Sequence, residues 1–288
     1  MVLRVGPASV LEALLAAPSL SGLSERDLRE RAAAGEIVDL DGRPVELGAA
    51  VPRPVSVYLY RDVPQEFPVP FAMPILHVDD DLVVVDKPHF LATMPRGAHV
   101  RETALVRLRR DLGSDEVAPA HRLDRLTAGV LLFTRRREVR AAYQELFAER
   151  RVHKEYRALA PADDSLSGGA RVVNRIVKTA GDLRARTAPG EPNAISDIAL
   201  LRRRDDGLAE YRLLPHTGRT HQLRMHMAAL GVPILGDPLY PEVDPVLATA
   251  GDRGDFSTPL HLVAQRLSFI DPLSGSRRTF ESARSFDG

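Results

Sequence analysis

The sequence predicts an α+β fold in a chain of 288 residues. Strand-like and helix-like stretches follow one another without the regular βαβ alternation of a doubly wound sheet. No G-x-G-x-x-G or G-x-x-x-x-G-K-[ST] run occurs, which removes the usual dinucleotide and ATP readings. With 44% hydrophobic and 27% charged residues, the composition is that of an ordinary globular protein.

Residues 1–70 read as an N-terminal extension. A helix spans 24–34, opened by Ser24 as cap with Asp27 three residues on, and Gly35 can stop it. A strand at 36–40, the turn Asp41-Gly42 and a strand at 55–60 follow. Pro64, Pro68, Pro70 and Pro74 then read as a linker. From 71 to 288 the pattern is that of one larger domain. Ile75–Val78 and Leu82–Val85 flank Asp79-Asp80-Asp81 as a hairpin, and 128–133 reads as a buried strand. Thr134 is placed to cap a helix over 138–150 whose apolar face is Val139, Tyr143, Leu146 and Phe147. Strands at 153–159 and 211–214 precede a helix over 219–230, ended by Gly231 and Pro233.

There is no cysteine, which excludes disulfides, a thiolate nucleophile and Cys-ligated metal. The longest apolar runs fall far short of the ~20 residues that span a bilayer. The first residues read as folded chain rather than a signal peptide. The expectation is a soluble, cytoplasmic, monomeric protein.

Basic and acidic side chains balance at 39 each. At first sight that argues against a nucleic-acid partner, but the average hides two asymmetries. Only three of the basic residues are lysines and 36 are arginines. This is the outcome of a GC-rich coding bias or of phosphate recognition by planar guanidinium forks. The stretch 119–157 carries +5 and the stretch 201–230 carries +3, while acid gathers at Asp79, Asp80, Asp81 and Asp86. A molecule with a basic face can bind a polyanion at zero net charge, because phosphate contacts are local. Solvated helix faces would have the same composition.

Three stretches can carry chemistry. In His121-Arg122-Leu123-Asp124-Arg125-Leu126-Thr127, two arginines bracket Asp124 in a turn before a buried strand. Guanidinium groups keep a carboxylate ionised and able to act as a nucleophile, although a structural Asp in a salt-bridged turn would look the same. In His216-Thr217-Gly218-Arg219-Thr220-His221-Gln222-Leu223-Arg224, a helix start with Arg219 and His221 in its first turn forms an anion site. Arg224 can reach inward to a carboxylate such as Asp124. His216, His221 and His226 recur every five residues, a poor spacing for two metal ligands on one helix face, so no metal is expected. Finally, Tyr156 of Lys154-Glu155-Tyr156 can stack on a base, shuttle a proton, or simply pack in a core.

Taken in order, the run from Ile75 to Pro88, His121-Arg122-Leu123-Asp124, Lys154-Glu155-Tyr156, Gly218-Arg219-Thr220-His221-Gln222-Leu223-Arg224 and Pro233-Ile234-Leu235-Gly236-Asp237 with Tyr240 resemble the RluA-type RNA pseudouridine synthases. The resemblance covers residues 72–282. It implies the pseudouridine synthase fold, a large mixed, mainly antiparallel sheet flanked by helices. It implies isomerisation of uridine in ribosomal or transfer RNA without cofactor or metal. Asp124 matches the catalytic aspartate, Tyr156 the active-site tyrosine that stacks on uracil and is a candidate base for the proton lost during isomerisation, and Arg224 the arginine that pairs with the aspartate. Arg122 matches the residue that helps hold the target nucleotide out of the stack. RNA contacts are expected from Arg122, Arg125, Arg219, His221 and Gln222. Ala128 stands where the family usually has Ser, and the loop from Asp41 to Pro70 has no family counterpart. The extension, with its helix pair and glycine-bounded strand and turn, resembles the small S4-type RNA-binding module, and the other reading of it is a purely structural extension. The other readings are a catalytically inactive RNA-binding protein on the same scaffold and a metal-dependent hydrolase using the histidines.

Overall fold

The computed structural model describes residues 2–3, 6–20, 22–52, 54–59 and 66–286; Tyr60 and Pro64, assigned above to a strand and a linker, lie outside them. The chain divides into two compact units, Met1–Pro64 and Gln65–Gly288. The division falls slightly before the expected residue 70, and local bonding gives the reason. The Glu66 carboxylate accepts the N–H groups of Val100, Arg101 and Glu102 at 2.8, 2.8 and 2.9 Å. Arg107 donates to the carbonyls of Val69 and Phe71. The proline-rich segment from 66 onward is therefore bonded into the second unit rather than free to act as a linker.

In the first unit the elements are β1 (Val2–Leu3), β2 (Gly6–Ser9), α1 (Val10–Leu15), α2 (Glu25–Ala33), β3 (Ile37–Val38), β4 (Ala50–Val51), β5 (Val55–Ser56) and β6 (Tyr58–Leu59). The strands form three small antiparallel pairs, β1 with β5, β2 with β4 and β3 with β6. Both helices open with a reciprocal capping box, Ser9 with Glu12 and Ser24 with Asp27, as the sequence predicts for the second. Leu14, Leu28, Ile37, Val51 and Val57 close a small core of their own.

The second unit contains β7 (Ile75–Val78), β8 (Leu82–Lys87), α3 (Ala104–Leu112), β9 (Ala118–Pro119), β10 (Ala128–Thr134), α4 (Arg140–Ala148), β11 (His153–Pro161), β12 (Ala170–Asn174), β13 (Ile176–Val177), β14 (Arg186–Thr187), β15 (Ala194–Arg203), β16 (Leu208–Pro215), α5 (Gln222–Ala229), α6 (Pro245–Ala250), β17 (Leu262–Ile270) and β18 (Arg277–Glu281). One large sheet runs in the order β12-β15-β16-β11-β17-β10-β8-β7, with β18 on β17 and β9 on β10. Its pairings are antiparallel except that of β10 with β17, so the sheet is mixed and mainly antiparallel.

Strand alternation distributes the core. Val83, Val85, Leu131 and Phe133 face α3 residues, while Leu82, Val84, Val130 and Leu132 face Tyr143 and Leu146 of α4. Both faces of β8 and β10 are thus covered, which explains their unbroken apolar runs. Beyond β17, Leu213, Leu223 and Met227 pack a further core under α5.

Two helix starts differ from expectation. The helix placed at 138–150 spans Arg140–Ala148 and has Val139, not Thr134, at its N-cap. Thr134 remains in β10, where its hydroxyl donates to the Ala118 carbonyl. The helix placed at 219–230 spans Gln222–Ala229, because His221 adopts a left-handed φ of 58° that breaks the helical path before it.

Candidate active site

All the predicted site residues except Arg125 gather where β10 and β17 run parallel. Gly129 has φ +109°, and a side chain there would overlap the backbone of Ala264 across the pair. Glycine thus permits the two strands to close. Next to it, the β11–β17 ladder shifts register between Glu155 and Tyr156. Such a bulge re-aims a side chain, here that of Tyr156. A cleft of about 1160 Å³ opens at this place, lined among others by Asp124, Tyr156, Arg122, Arg219, His221 and Arg224.

The loop bearing Asp124 is tied down by its own backbone. The Thr93 hydroxyl donates to the Leu123 carbonyl at 2.8 Å and accepts the Leu123 N–H at 3.1 Å. Thr127 N–H closes a turn onto the Asp124 carbonyl at 3.1 Å. Lys87, fully buried at the end of β8, donates to the carbonyls of Arg125, Pro88 and Leu91 at 3.1, 3.0 and 2.7 Å. Burial pushes its pKa well below the ordinary lysine value, and the negative charge of Asp124 works the other way. His89 Nδ1 donates to the Leu126 carbonyl at 2.8 Å. His121 lies flat on Phe147, with ring centroids 4.3 Å apart, and its Nε2 accepts the Leu132 N–H. Burial lowers its pKa to about 3, so this histidine is a neutral brace rather than a cation.

On this scaffold the Asp124 carboxylate is half-buried and makes no hydrogen bond or ion pair among the described residues. It is also the only carboxylate among the described residues lining the cleft, against seven cations: Arg109, Arg122, Arg140, Arg150, Lys154, Arg219 and Arg224. Tyr156 packs between the two cores that meet here. Burial, and then the charge of Asp124, push its hydroxyl above the ordinary phenol value, so it stays protonated.

Several residues sit differently from expectation. Arg224, 3% exposed, does not pair directly with Asp124. Its guanidinium grips Asp237, 1% exposed, with Nε–Oδ2 at 2.7 Å and a second bond at 2.5 Å. Burial opposes its charge, but Asp237 first and Asp124 after it hold its pKa above the ordinary arginine value. The partner is Asp237 because that carboxylate is fixed in place, accepting the N–H groups of Leu239 and Tyr240.

Arg125 turns away toward Asp252 at 3.5 Å and does not line the cleft. Gln222 is turned inward and is structural, bonding Thr217, the Arg219 N–H, the Ile195 carbonyl and Ser196. Arg219 precedes the helix instead of lying in its first turn and donates to the Asn193 carbonyl. Arg122 lines the cleft without a hydrogen bond or ion pair among the described residues. The three histidines at spacing five go to separate partners, His216 to Asp197, His221 to Tyr240 and His226 to Asn174.

Asp237, Thr93 and Arg109 are the contributors that motif reading did not assign a role. Thr93 and Arg109 carry no local signal, whereas Lys87 stands out in the sequence as one of only three lysines. No described helix is long and apolar enough to cross a membrane.

The comparisons with known proteins agree with this architecture. A family model described as RNA pseudouridylate synthase matches residues 81–229. The dual-specificity RNA pseudouridine synthase RluA of Pasteurella multocida is 33% identical over 215 residues, covering 74% of this chain and 93% of its own. Ribosomal large subunit pseudouridine synthase D of Xanthomonas campestris is 35% identical over 225 residues, covering 74% of this chain and 65% of its own. Among solved structures, human RNA pseudouridylate synthase domain containing 4 aligns with a TM-score of 0.56 at 27% identity, covering 74% of this chain and 88% of that one.

Proposed function

Because this chain belongs to the RluA-type RNA pseudouridine synthases, a family of isomerases, we propose that it converts uridines of ribosomal or transfer RNA to pseudouridine with Asp124 as the catalytic carboxylate. The N1–C1′ bond breaks, the uracil rotates, a C5–C1′ bond forms, and the C5 proton is lost as N1 gains one. The observation that carries this reading is a lone, unpartnered carboxylate in a cleft whose other charged lining residues are all cations. The cations suit phosphates, and no cation neutralises the carboxylate by direct pairing, so its oxygens are open to the reacting sugar or base. Attack at C1′, attack at C6 and assistance to a glycal all need that carboxylate.

Tyr156 is assigned to stacking on the uracil. A phenol held protonated by burial and by a neighbouring carboxylate suits stacking and hydrogen bonding better than service as a phenolate base. Arg224 is a positioning residue, a fixed positive charge beside Asp124. Arg122, unpartnered at the cleft, is assigned to the RNA backbone or the flipped nucleotide. The names of the two bacterial relatives, one dual-specificity and one of the ribosomal large subunit, favour structured cellular RNA as substrate.

The test is tritium release from unmodified ribosomal and transfer RNA transcripts carrying 5-tritiated uridine. The wild-type protein is expected to release tritium and Asp124→Asn to release none, while both bind RNA. An active Asp124→Asn protein overturns the assignment. Binding without release by the wild type would establish instead an RNA-binding protein on this scaffold.

A further inference from the structure

We infer that His221 is a specificity-determining residue, whose bare Nε2 accepts a hydrogen bond from the N3–H of the target uracil. The inference rests on the reading of the cleft given above and deepens it.

The hydrogen-bond network fixes the tautomer. Tyr240 has a single hydroxyl proton, which it donates to the Ala185 carbonyl at 2.9 Å, while its oxygen accepts the Ala185 N–H at 2.8 Å. His221 Nδ1 lies 3.0 Å from the same oxygen. With the tyrosine proton already committed, Nδ1 must be the donor, and the neutral ring keeps its lone pair on Nε2. Burial lowers the pKa of the ring, which keeps it neutral. Nε2 has no partner among the described residues, yet it is not among the buried unpaired atoms, so it remains accessible. His221 lines the Asp124 cleft and not the neighbouring one, which Tyr240 lines.

The backbone is arranged for this presentation. His221 has φ 58°, unusual for a residue with a side chain, at the N-cap of α5, where its own side chain does not cap the helix. Strain retained at a cleft, without a capping benefit, is accounted for by the direction in which the ring is sent.

Chemistry then selects the ligand atom. The cations of the cleft are donors and can satisfy phosphates and the uracil O2 and O4, but none can accept a proton. The only base donor of uracil is N3–H, whereas N3 of cytosine is itself an acceptor. An acceptor at this place favours uracil and opposes cytosine, because two facing lone pairs would be buried unpaired.

The test uses the shortest ribosomal or transfer RNA transcript from which the wild-type protein releases tritium. It is synthesised with uridine, cytidine or 2′-deoxyuridine at the reacting position. Affinities are measured by fluorescence anisotropy in the Asp124→Asn background, where no turnover occurs. His221 is expected to give at least about tenfold preference for uridine over cytidine, the effect of one hydrogen bond against an unpaired acceptor.

His221→Asn tolerates the left-handed backbone and keeps a donor for Tyr240, but it lacks the outer acceptor. It should bind the two RNAs within about twofold of each other. His221→Gln, whose Oε1 reaches the Nε2 position, should restore most of the preference. An unchanged ratio in His221→Asn overturns the inference, as does a loss confined to uridine over 2′-deoxyuridine, which would assign Nε2 to the ribose. No release from any transcript by the wild type overturns the reading of the site itself, and that outcome is distinct from an active enzyme indifferent to His221.

Discussion

Helix α2 of the first unit and the cleft wall of the second are both rich in arginine, and they use it in opposite ways. On α2, Arg26 pairs with Glu30, Arg29 with Glu25 and Arg31 with Glu36. Residues 1–64 carry seven arginines and nine acids, so that unit is slightly acidic. Around the cleft the acids are withheld. The guanidinium groups of Arg122 and Arg150 have no bonded partner among the described residues, and Arg219 and Arg109 spend their guanidinium protons on carbonyls. The same residue type therefore gives a solvated, self-neutralised helix in one place and a positive surface in the other. Local pairing, not the count of arginines, distinguishes the surface suited to an anion.

The largest expected effect tests the one cleft cation that is fully paired. Arg224→Met leaves Asp237 buried without a counter-charge. It should destabilise the second unit by about 3–5 kcal/mol, measured by denaturant unfolding. Thr93→Val removes a hydroxyl that serves both backbone groups of Leu123. It should cost about 1–3 kcal/mol and lower kcat, by loosening the loop that carries Asp124.

Acidification separates the two units, because all nine histidines lie beyond residue 64. Unfolded imidazoles bind protons from about pH 6.5 downward. Folded His89 and His226 refuse them until about pH 4 and His121 until about pH 3, burial being the leading cause in each. The unfolded state gains protons first, so the stability of the second unit falls as pH drops from 7 toward 5. Thermal melts should show that decline in the second unit and little change in the first.

Arg122→Gln should weaken RNA binding several-fold and reduce the slope of log affinity against log salt by about 1. Arg29→Gln on α2, by contrast, should leave the slope unchanged and stability within about 0.5 kcal/mol. If Arg29→Gln lowers the slope as much as Arg122→Gln does, the contrast between the two regions fails.

Much of the fold is legible in the sequence because each strand and helix declares itself by local periodicity. The hairpin of β7 and β8, the buried β10 and the capping box of α2 all stand where the pattern puts them. What local pattern does not carry is conformation imposed from a distance. Nothing in the residues around His221 announces a left-handed backbone, so the sequence pattern starts α5 at 219 where the helix begins at Gln222. Arg224 meets Asp237, thirteen positions along the chain, only after the turn at Gly231 brings that carboxylate back. Thr93 reaches Leu123 across thirty positions. The ordered motifs name the central residues of the cleft, Asp124, Tyr156 and Arg224, but not its outlying cations Arg109, Arg140 and Arg150, and the bonding within it depends on tertiary contacts that no spacing records.

The three lysines have a practical consequence. Each gives its ammonium group to main-chain carbonyls: Lys87 to three of them, Lys154 to Thr217, and Lys178 to Thr179 and Asp182. Lys87 is fully buried, Lys154 stands in the cleft with its pKa lowered by burial, and Lys178 is exposed. In a chain with so few side-chain amines, an amine-selective acylating reagent has two side-chain positions to report from. Lys154 should lose its labelling when RNA fills the cleft, while Lys178 keeps its own as an internal standard. Scarcity of lysine thus makes the cleft addressable by simple chemistry, without any engineered tag.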